Sequence, residues 1–352
     1  MFSQCNNIKW LVAIGILFPM AIFSCKQEET SCDCAGEANS AYDPGIPSHF
    51  PEMDWGEGNE PTAQRFELGR KLFYDPVLSL DSSISCASCH KPELAFTDGE
   101  RFSKGVHGNM GERNTPTLVN IGYHKEFFWD GGSHTLEMMI QGPTESENEM
   151  NMLIPDIIER LKQDPEYVEL ASAAYDREMD PFVFTRALGN FMRHILSGNT
   201  RYDDYINGNA SALNEQELVG LELFNSDKLA CTKCHGGFDF TDYSYRNIGL
   251  YKEYPDTGRA RITGDPQDAG KFKVPTLRNI ALTAPYMHDG SMKTLEEVLR
   301  HYEVGGKPGA RNKDDEIHPF RLSDEETDAL IAFLETLTDS SLLNNTDLNA
   351  PQ

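Results

Sequence analysis

Two copies of the pentapeptide Cys-x-x-Cys-His constrain this 352-residue chain more than any other feature, at residues 86–90 and 231–235. In this motif two thiols form thioether bonds with the vinyl groups of a haem, and the adjacent imidazole binds the iron. A redox dithiol or half of a zinc site is the alternative, but each cysteine pair is followed at once by histidine and neither by a second pair. The sequence therefore predicts two covalently attached c-type haems. Their predicted attachment and proximal residues are Cys86, Cys89, His90, Cys231, Cys234 and His235.

The acidic balance of the chain excludes one class of partner. The sequence contains 56 Asp and Glu residues against 31 Lys and Arg, which gives a net charge of −25 at pH 7. A nucleic acid would be repelled by this charge, whereas a small basic protein would be attracted to it. The length is sufficient for two domains, each with its own core.

The N-terminal segment has the features of an export signal. Lys9 precedes an apolar run from Trp10 to Phe23, which is too short to span a bilayer. The run leads into Ile-Phe-Ser-Cys25, which resembles a bacterial lipoprotein cleavage box, with a plain cleaved signal as the alternative. Attachment of c-type haem takes place outside the cytoplasm. We therefore expect a periplasmic or cell-envelope protein, anchored by a lipid on Cys25.

Periodicity predicts a mainly α-helical fold. Phe66, Gly69 and Phe73 recur at spacings of three and four, so we expect a helix over residues 62–74. A core helix is predicted over residues 182–196, with His194 on it as a packed surface histidine rather than a ligand. Two Ser/Thr-x-x-Glu capping boxes mark further helix starts. Their residues are Thr294 with Glu297 and Ser323 with Glu326.

The second half of the chain repeats the order of the first. Residues 115–121 match residues 274–280 at an offset of 159, and residues 128–137 match residues 287–296 at the same offset. Such internal similarity indicates a duplicated structural unit. Residues 26–60 are rich in Glu, Ser, Gly and Pro, which predicts a flexible tether ahead of the repeats, in which Cys32 and Cys34 are incidental thiols. The predicted organisation is a signal peptide at 1–24, a tether at 25–60, haem domains at 61–200 and 201–340, and a polar tail at 341–352.

Three further motifs give the chain a family resemblance. They are Arg-Asn-Thr-Pro-Thr-Leu at 113–118, Phe-Trp-Asp-Gly at 128–131 and Leu-Thr-Ala-Pro-Tyr-Met-His-Asp-Gly at 282–290. Together with two cytochrome-c-like domains, they resemble the bacterial di-haem cytochrome c peroxidases. That superfamily also contains the di-haem enzymes that mature tryptophan tryptophylquinone. The resemblance covers about residues 60–340 and implies an N-terminal peroxidatic haem and a C-terminal haem that receives electrons.

The resemblance implies three catalytic residues near the first haem. His107, seventeen residues after His90 on a Gly-rich loop, matches the family's displaceable sixth ligand. Glu149, twenty residues after Trp129, has the spacing of the catalytic carboxylate. Trp129 itself matches the tryptophan between the two haems. Met139 stands where the family often has a glutamine.

The resemblance also implies a calcium site at the domain interface, where amide and carbonyl oxygens would serve as hard ligands. The matching residues are Asn114, Thr283 and Pro285.

The second haem departs from the peroxidase pattern. Peroxidases have a methionine fourteen residues after the histidine of Ala-Pro-Tyr-x-His, and the corresponding residue here is Tyr302. The quinone-maturing branch has this tyrosine. An anionic oxygen ligand would favour ferric iron and lower the potential of this haem. Met287, Met292 and His301 are the other candidate ligands.

These observations predict a di-haem peroxidase that reduces hydrogen peroxide with electrons from a small redox protein such as cytochrome c. One alternative is an oxidase of the quinone-maturing type that acts on a protein substrate. The other is a di-haem electron carrier whose irons stay six-coordinate. A homodimer is compatible with all three.

Overall fold

The computed structural model describes residues 42–351. The predicted signal peptide, the lipidation site Cys25 and the thiols Cys32 and Cys34 lie outside the described residues. Within the described range the predicted mainly α-helical class is confirmed. No helix in this range is long and apolar enough to cross a membrane.

Short helices joined by long loops make up the described chain. The α-helices are α1 (Ala63–Tyr74), α2 (Cys86–Cys89), α3 (Leu136–Met139), α4 (Gln141–Glu145), α5 (Ile154–Leu161), α6 (Pro165–Tyr175), α7 (Pro181–Arg193), α8 (Arg201–Ile206), α9 (Glu215–Phe224), α10 (Ala260–Thr263), α11 (Leu295–Glu303), α12 (Asp324–Glu335) and α13 (Ser340–Leu343). The antiparallel strands are β1 (Tyr245–Arg246) and β2 (Phe272–Lys273), with Tyr245 opposite Lys273. The 3₁₀ helices are Pro76–Leu78, Pro92–Leu94, Val106–Gly108, Ile121–Tyr123, Cys231–Lys233, Pro266–Asp268, Ile280–Leu282 and Thr346–Leu348.

The same helix crossing occurs in both halves. Gly69 of α1 packs so closely on α7 that an added Cβ would lie 2.0 Å from the carbonyl oxygen of Ala187. Gly220 of α9 packs in the same way on α12, where an added Cβ would lie 2.0 Å from the carbonyl oxygen of Ala329. Only a residue without a side chain allows this close approach of two backbones. The crossings give the sequence repeat a structural counterpart.

Predicted helix starts agree with the structure. Helix α1 begins after Thr62, whose hydroxyl oxygen accepts a hydrogen bond from the Arg65 backbone N–H at 3.2 Å. Helix α12 begins with the full predicted capping box, because Ser323 and Glu326 each accept from the other's backbone N–H. The predicted core helix is α7, and His194 at its end is buried rather than on the surface.

Each half has its own hydrophobic core. The first combines residues of α1, α5, α6 and α7, and the second combines residues of α9, α11 and α12. Aromatic rings lie at the centre of both, such as Phe73 with Phe191 in the first and Phe224 with Phe333 in the second. Their burial supplies the main driving force for each half.

Parts of the predicted tether and of the predicted polar tail pack on the folded chain. The tether was predicted to extend to residue 60, but Phe50 and Met53 are buried, and buried Asn59 donates from Nδ2 to the Arg186 carbonyl at 3.1 Å. The predicted polar tail also packs on the protein, because Leu342 and Leu348 join the first core. A few well-placed apolar side chains dock these segments, although polar residues dominate their composition.

Ion pairs connect the two halves. Arg113 contacts Asp130 at 2.7 Å and Asp256 at 2.6 Å, and Arg261 reaches the same Asp130 carboxylate at 2.7 Å. The backbone N–H of Lys273 donates to the Trp129 carbonyl at 2.8 Å. The turn that follows Trp129 is therefore held by groups from both halves.

Candidate haem sites

The first Cys-x-x-Cys-His motif forms one wall of a cavity. Helix α2 carries Cys86 and Cys89, and Ser85 with Ser88 forms a capping box at its start. About 670 Å³ of space lies beside these thiols and His90, part of it open to solvent. The apolar walls suit a porphyrin face. They include Phe73, Leu118, Met139, Ile140, Leu188 and Met192.

Both motif histidines are oriented for iron binding. Nδ1 of His90 hydrogen-bonds the carbonyl oxygen of Phe96 at 2.9 Å, and Nδ1 of His235 hydrogen-bonds that of Phe240 at 3.1 Å. A carbonyl partner on Nδ1 places the ring proton there and leaves Nε2 for a metal. The residues present therefore fit two axially ligated haems.

These two carbonyls are functional groups that the sequence analysis missed. Phe96 and Phe240 both have left-handed backbones, with φ of 60° and 50°. Phenylalanine rarely adopts this conformation, so the surrounding fold must hold it. The sequence did offer a signal for these two carbonyls. A phenylalanine follows His90 by six residues and another follows His235 by five.

Glu149 lines the first cavity, together with His90 and the two thiols. The Glu149 side chain is exposed, but enough protein surrounds its carboxyl to change its pKa. Burial raises the pKa of Glu149, against a smaller lowering effect of the Ser146 side chain. The geometry therefore brings the sequence-predicted carboxyl to the same cavity as His90.

His107 is not among the residues that line this cavity. Its ring is 59% exposed, and Nδ1 lies 3.8 Å from an Asp81 carboxylate oxygen. Its loop is nevertheless attached to the Glu149 segment. The Val106 N–H donates to the Glu149 carbonyl at 2.8 Å, and Asn109 Nδ2 donates to the Glu147 carbonyl at 2.8 Å. The loop of His107 and the segment of Glu149 are thus joined by hydrogen bonds, but the His107 side chain does not line the cavity that the Glu149 side chain lines.

Trp129 lies where the first half meets the second. Its indole Nε1–H donates to the Asn114 carbonyl at 2.8 Å, and its own carbonyl accepts from Lys273 in β2. These two bonds fix the indole and its backbone. Its position at the junction is compatible with the predicted place between two haems.

At the second site, Tyr302 lies on α11, near enough to the haem-attachment cysteines for their charge to act on its phenol. Burial raises the pKa of Tyr302, and the nearby thiols of Cys234 and Cys231 raise it further. A phenolate at this position therefore requires a cation such as iron for stabilisation.

The other candidate ligands of the second haem have different surroundings. His301 uses Nε2 to hydrogen-bond the Ile248 carbonyl at 3.0 Å, and Met292 packs against the second core. Met287 is half-buried in the turn between Tyr286 and Met292. Burial is the main cause of the pKa shift in both candidates that titrate; the Cys234 and Cys231 thiols also act on Tyr302, whereas Lys307 and Lys313 act on His301.

Asn114 and the loop that carries Pro285 are brought close together, because the Asn114 N–H donates to the His288 carbonyl at 2.8 Å. Asn114 Nδ2 donates to the Glu100 carbonyl at 2.9 Å. Thr283 donates from Oγ1 to the Ile280 carbonyl at 3.3 Å. Between residues 42 and 351, no group of three or more His, Cys, Asp or Glu side chains could hold a metal. The calcium site stays a prediction.

Comparison with known proteins identifies two cytochrome-type domains in this chain. Residues 63–211 match the di-haem cytochrome c peroxidase family and residues 220–338 match cytochrome c. The chain is 35% identical to the methylamine utilization protein MauG of Methylorubrum extorquens, over 93% of this chain and 96% of that protein. It is 34% identical to the cytochrome c551 peroxidase of Nitrosomonas europaea, over 78% of this chain and 80% of that protein.

A solved structure is also similar over most of its length. It is a MauG-like protein associated with microbial copper homeostasis, with a TM-score of 0.83 and 36% identity. The match covers 88% of this chain and 99% of that one. With its two cytochrome-c-type domains and two haem-attachment motifs, the chain belongs to the family of di-haem cytochrome c peroxidases and MauG proteins.

Proposed function

We propose that this protein is a di-haem peroxidase that reduces hydrogen peroxide to water with electrons from a small redox protein such as cytochrome c. The observation that carries the proposal is the Glu149 carboxyl in the same cavity as His90. An electron carrier whose two irons stay six-coordinate needs no proton-transferring group beside either iron. The relative described as a cytochrome c551 peroxidase supports the same assignment.

Glu149 and His90 have different roles in this reaction. When bound, the haems supply one-electron redox chemistry at the two irons. Glu149 accepts a proton from one peroxide oxygen and delivers it to the other, so that the oxygen–oxygen bond breaks with water as leaving group. Two electrons and two protons in total convert one peroxide to two waters. His90, fixed by the Phe96 carbonyl, holds the proximal side rigid.

Electron delivery completes the proposal. A haem held by His235 would supply the one-electron chemistry that the donor requires, and Trp129 at the junction of the halves would lie on the route to the His90 site. His107 would serve as a displaceable ligand of a haem held by His90 after its loop rearranges, and its exposed position on a loop supports this role. We also assign Ca²⁺ to the Asn114 region and a lipid anchor to Cys25 in the cell envelope.

Cyanide binding separates the enzyme from the carrier. The holo-protein should bind cyanide at one haem and show a high-spin population in at least one redox state, because Glu149 faces an open site. Absorption and electron paramagnetic resonance spectra during a cyanide titration measure this. Two haems that stay low-spin and do not bind cyanide in any redox state would rule out the peroxidase assignment.

Tyr302 favours a second candidate function, oxidation of a protein substrate by a quinone-maturing type of enzyme. A tyrosinate ligand would give the second haem a low potential, which suits withdrawal of electrons from an oxidisable side chain. The methylamine utilization protein MauG among the relatives supports this candidate.

Replacement of Tyr302 tests its ligation. Tyr302→Met should raise the midpoint potential of the second haem by on the order of a few hundred millivolts, because a neutral thioether favours ferrous iron. Spectroelectrochemical titration measures the change. His301→Gln, at the neighbouring position, is the matched control and should leave the axial-ligand spectrum unchanged. An unaltered potential in Tyr302→Met would show that this tyrosine does not bind the iron.

A further inference from the structure

Three charge-bearing side chains form a chain at the junction of the halves, and neither haem site uses them. Lys273 Nζ lies 3.1 Å from His124 Nδ1, and His124 Nε2 lies 3.9 Å from an Asp239 carboxylate oxygen. His124 comes from the first half and the other two from the second. Exposure falls along the chain, from half-buried Lys273 through His124 at 8% to Asp239 at 1%. We call Lys273, His124 and Asp239 the interface triad.

The contacts of the triad determine where its protons lie. The Lys273 ammonium donates to His124 Nδ1 and, at 3.0 Å, to the Glu126 carbonyl. An imidazole that accepts at Nδ1 carries its proton on Nε2. In the part of the chain that the structure describes, this Nε2 is buried with no hydrogen-bond partner. It faces the carboxylate across a gap somewhat too long for a hydrogen bond.

Neutral donors and a distant guanidinium surround the carboxylate end. Asp239 accepts from Asn120 Nδ2 at 2.8 Å, from the Tyr243 hydroxyl at 3.0 Å and from Thr276 Oγ1 at 3.2 Å. Arg278 approaches only to 4.0 Å and makes its paired hydrogen bonds with Asp203 instead. The other ionisable groups that act on the triad from the packed elements are Tyr123, Glu126 and Asp130.

The triad is connected to the second haem site and to the proposed electron route. Asp239 immediately precedes Phe240, whose carbonyl accepts the hydrogen bond of the proximal His235. At the other end, the Lys273 backbone N–H donates to the Trp129 carbonyl. A change of charge at the second haem therefore acts electrostatically on the triad, with little solvent between them to screen the interaction.

We propose that the interface triad is a redox-linked proton store. It binds one proton from solvent as one electron enters the second haem, and it releases that proton as the electron moves on. The proposal rests on the proposed function only in that the second haem receives and passes on electrons.

Electrostatics gives the direction of the coupling. Reduction adds one negative charge near the triad, which raises its affinity for a proton, and by linkage a bound proton raises the potential of the haem. Burial raises the pKa of Asp239 to about 6 and lowers that of Lys273 to about 8. Both groups therefore titrate near neutral pH, where such coupling has its effect.

His124 connects the accessible end of the triad to the buried one. Burial and the Lys273 ammonium lower the pKa of its imidazole, so the ring stays neutral at rest. A neutral ring can take a proton from Lys273 at Nδ1 while Nε2 gives its own proton to Asp239. One proton enters and one leaves the imidazole. A small rotation of the ring closes the 3.9 Å gap.

The pH dependence of the second-haem potential tests the proposal. Spectroelectrochemical titration of the holo-protein from about pH 5 to pH 9, without peroxide, should show a potential that falls as pH rises. In Lys273→Met, the potential of the second haem should depend much less on pH. Lys271→Met is the matched control, because Lys271 precedes it by two residues and pairs with Asp268 outside the triad. It should keep the full fall.

His124→Asn provides a second variant if Lys273→Met does not fold, and it should also lose most of the fall. A wild-type potential that does not depend on pH would overturn the proposal. So would a full fall in both triad variants, or an equal loss in Lys271→Met. Because no peroxide is used, these outcomes are independent of whether the protein turns over peroxide.

Discussion

Glu149→Gln is expected to lower the turnover number for hydrogen peroxide by a factor of about 10²–10⁴. The amide keeps the shape of the carboxyl in the first cavity, but it cannot accept the peroxide proton. Stopped-flow or steady-state oxidation of a reduced cytochrome c measures the loss. The haem absorption spectrum should stay unchanged, because Glu149 does not contribute to haem attachment.

The pH profile distinguishes proton transfer from a structural effect of Glu149. Burial raises the pKa of this carboxyl, and only its ionised form accepts a proton. Wild-type turnover should therefore fall as pH drops through that pKa, and Glu149→Gln should lack this limb. Glu147→Gln is the matched control, since Glu147 is exposed two residues away. Equal losses in both variants would contradict the catalytic role.

Arg278→Met is expected to lower the free energy of unfolding by about 3–5 kcal/mol. Arg278 and Asp203 are only 1% and 2% exposed, and two hydrogen bonds of 2.8 and 2.9 Å join them. Arg278 also donates from Nε to the Phe238 carbonyl at 2.8 Å, just before the second haem's supporting loop. Loss of the guanidinium leaves a buried carboxylate without its partner. Urea unfolding of the holo-protein measures the change.

The pH dependence of this destabilisation has a defined sign. Burial acts to raise the pKa of Asp203, but the hydrogen bonds and charge of Arg278, together with the hydrogen bonds from Thr200, outweigh it and the pKa is lowered. The pair therefore stabilises the fold at pH above about 3.9, the ordinary Asp value, and loses this effect as pH falls through the lower folded pKa. The deficit of Arg278→Met should be smaller at acid pH than at pH 7.

Two further variants serve as references for Arg278→Met. Arg177→Met removes an exposed partner of Asp180 and should cost no more than about 1 kcal/mol. Addition of Asp203→Asn to Arg278→Met should recover part of the loss, since it removes a buried charge that has lost its guanidinium and keeps only weaker contacts with His49 and Thr200. A deficit for Arg278→Met as small as that of Arg177→Met would contradict the importance of the buried pair.

Local patterns predicted the haem motifs and the helices well, because covalent chemistry and capping depend on residues close in sequence. Helix α1 starts directly after Thr62, and the box of Ser323 with Glu326 forms in full. The repeat at an offset of 159 predicted a second haem domain, which the match of residues 220–338 to cytochrome c confirms. These features needed no knowledge of distant contacts.

Features that depend on contacts between distant segments were not predictable from one sequence. Residues 42–60 and 341–351 look polar in composition, yet Phe50 and Leu348 are buried on remote elements. The interface triad joins positions 124, 239 and 273, which carry no joint sequence signal. His107 also lies outside the cavity, because loop conformation rather than spacing decides where its ring points.

The most direct test of the central claim is peroxide-dependent oxidation of a reduced small cytochrome c by the purified holo-protein. Wild type and Tyr302→Met would be compared before and after one-electron prereduction. The proposed function predicts rapid turnover by wild type. Negligible wild-type turnover that Tyr302→Met restores would contradict it, and would instead indicate a low-potential second haem that serves the oxidation of a protein substrate.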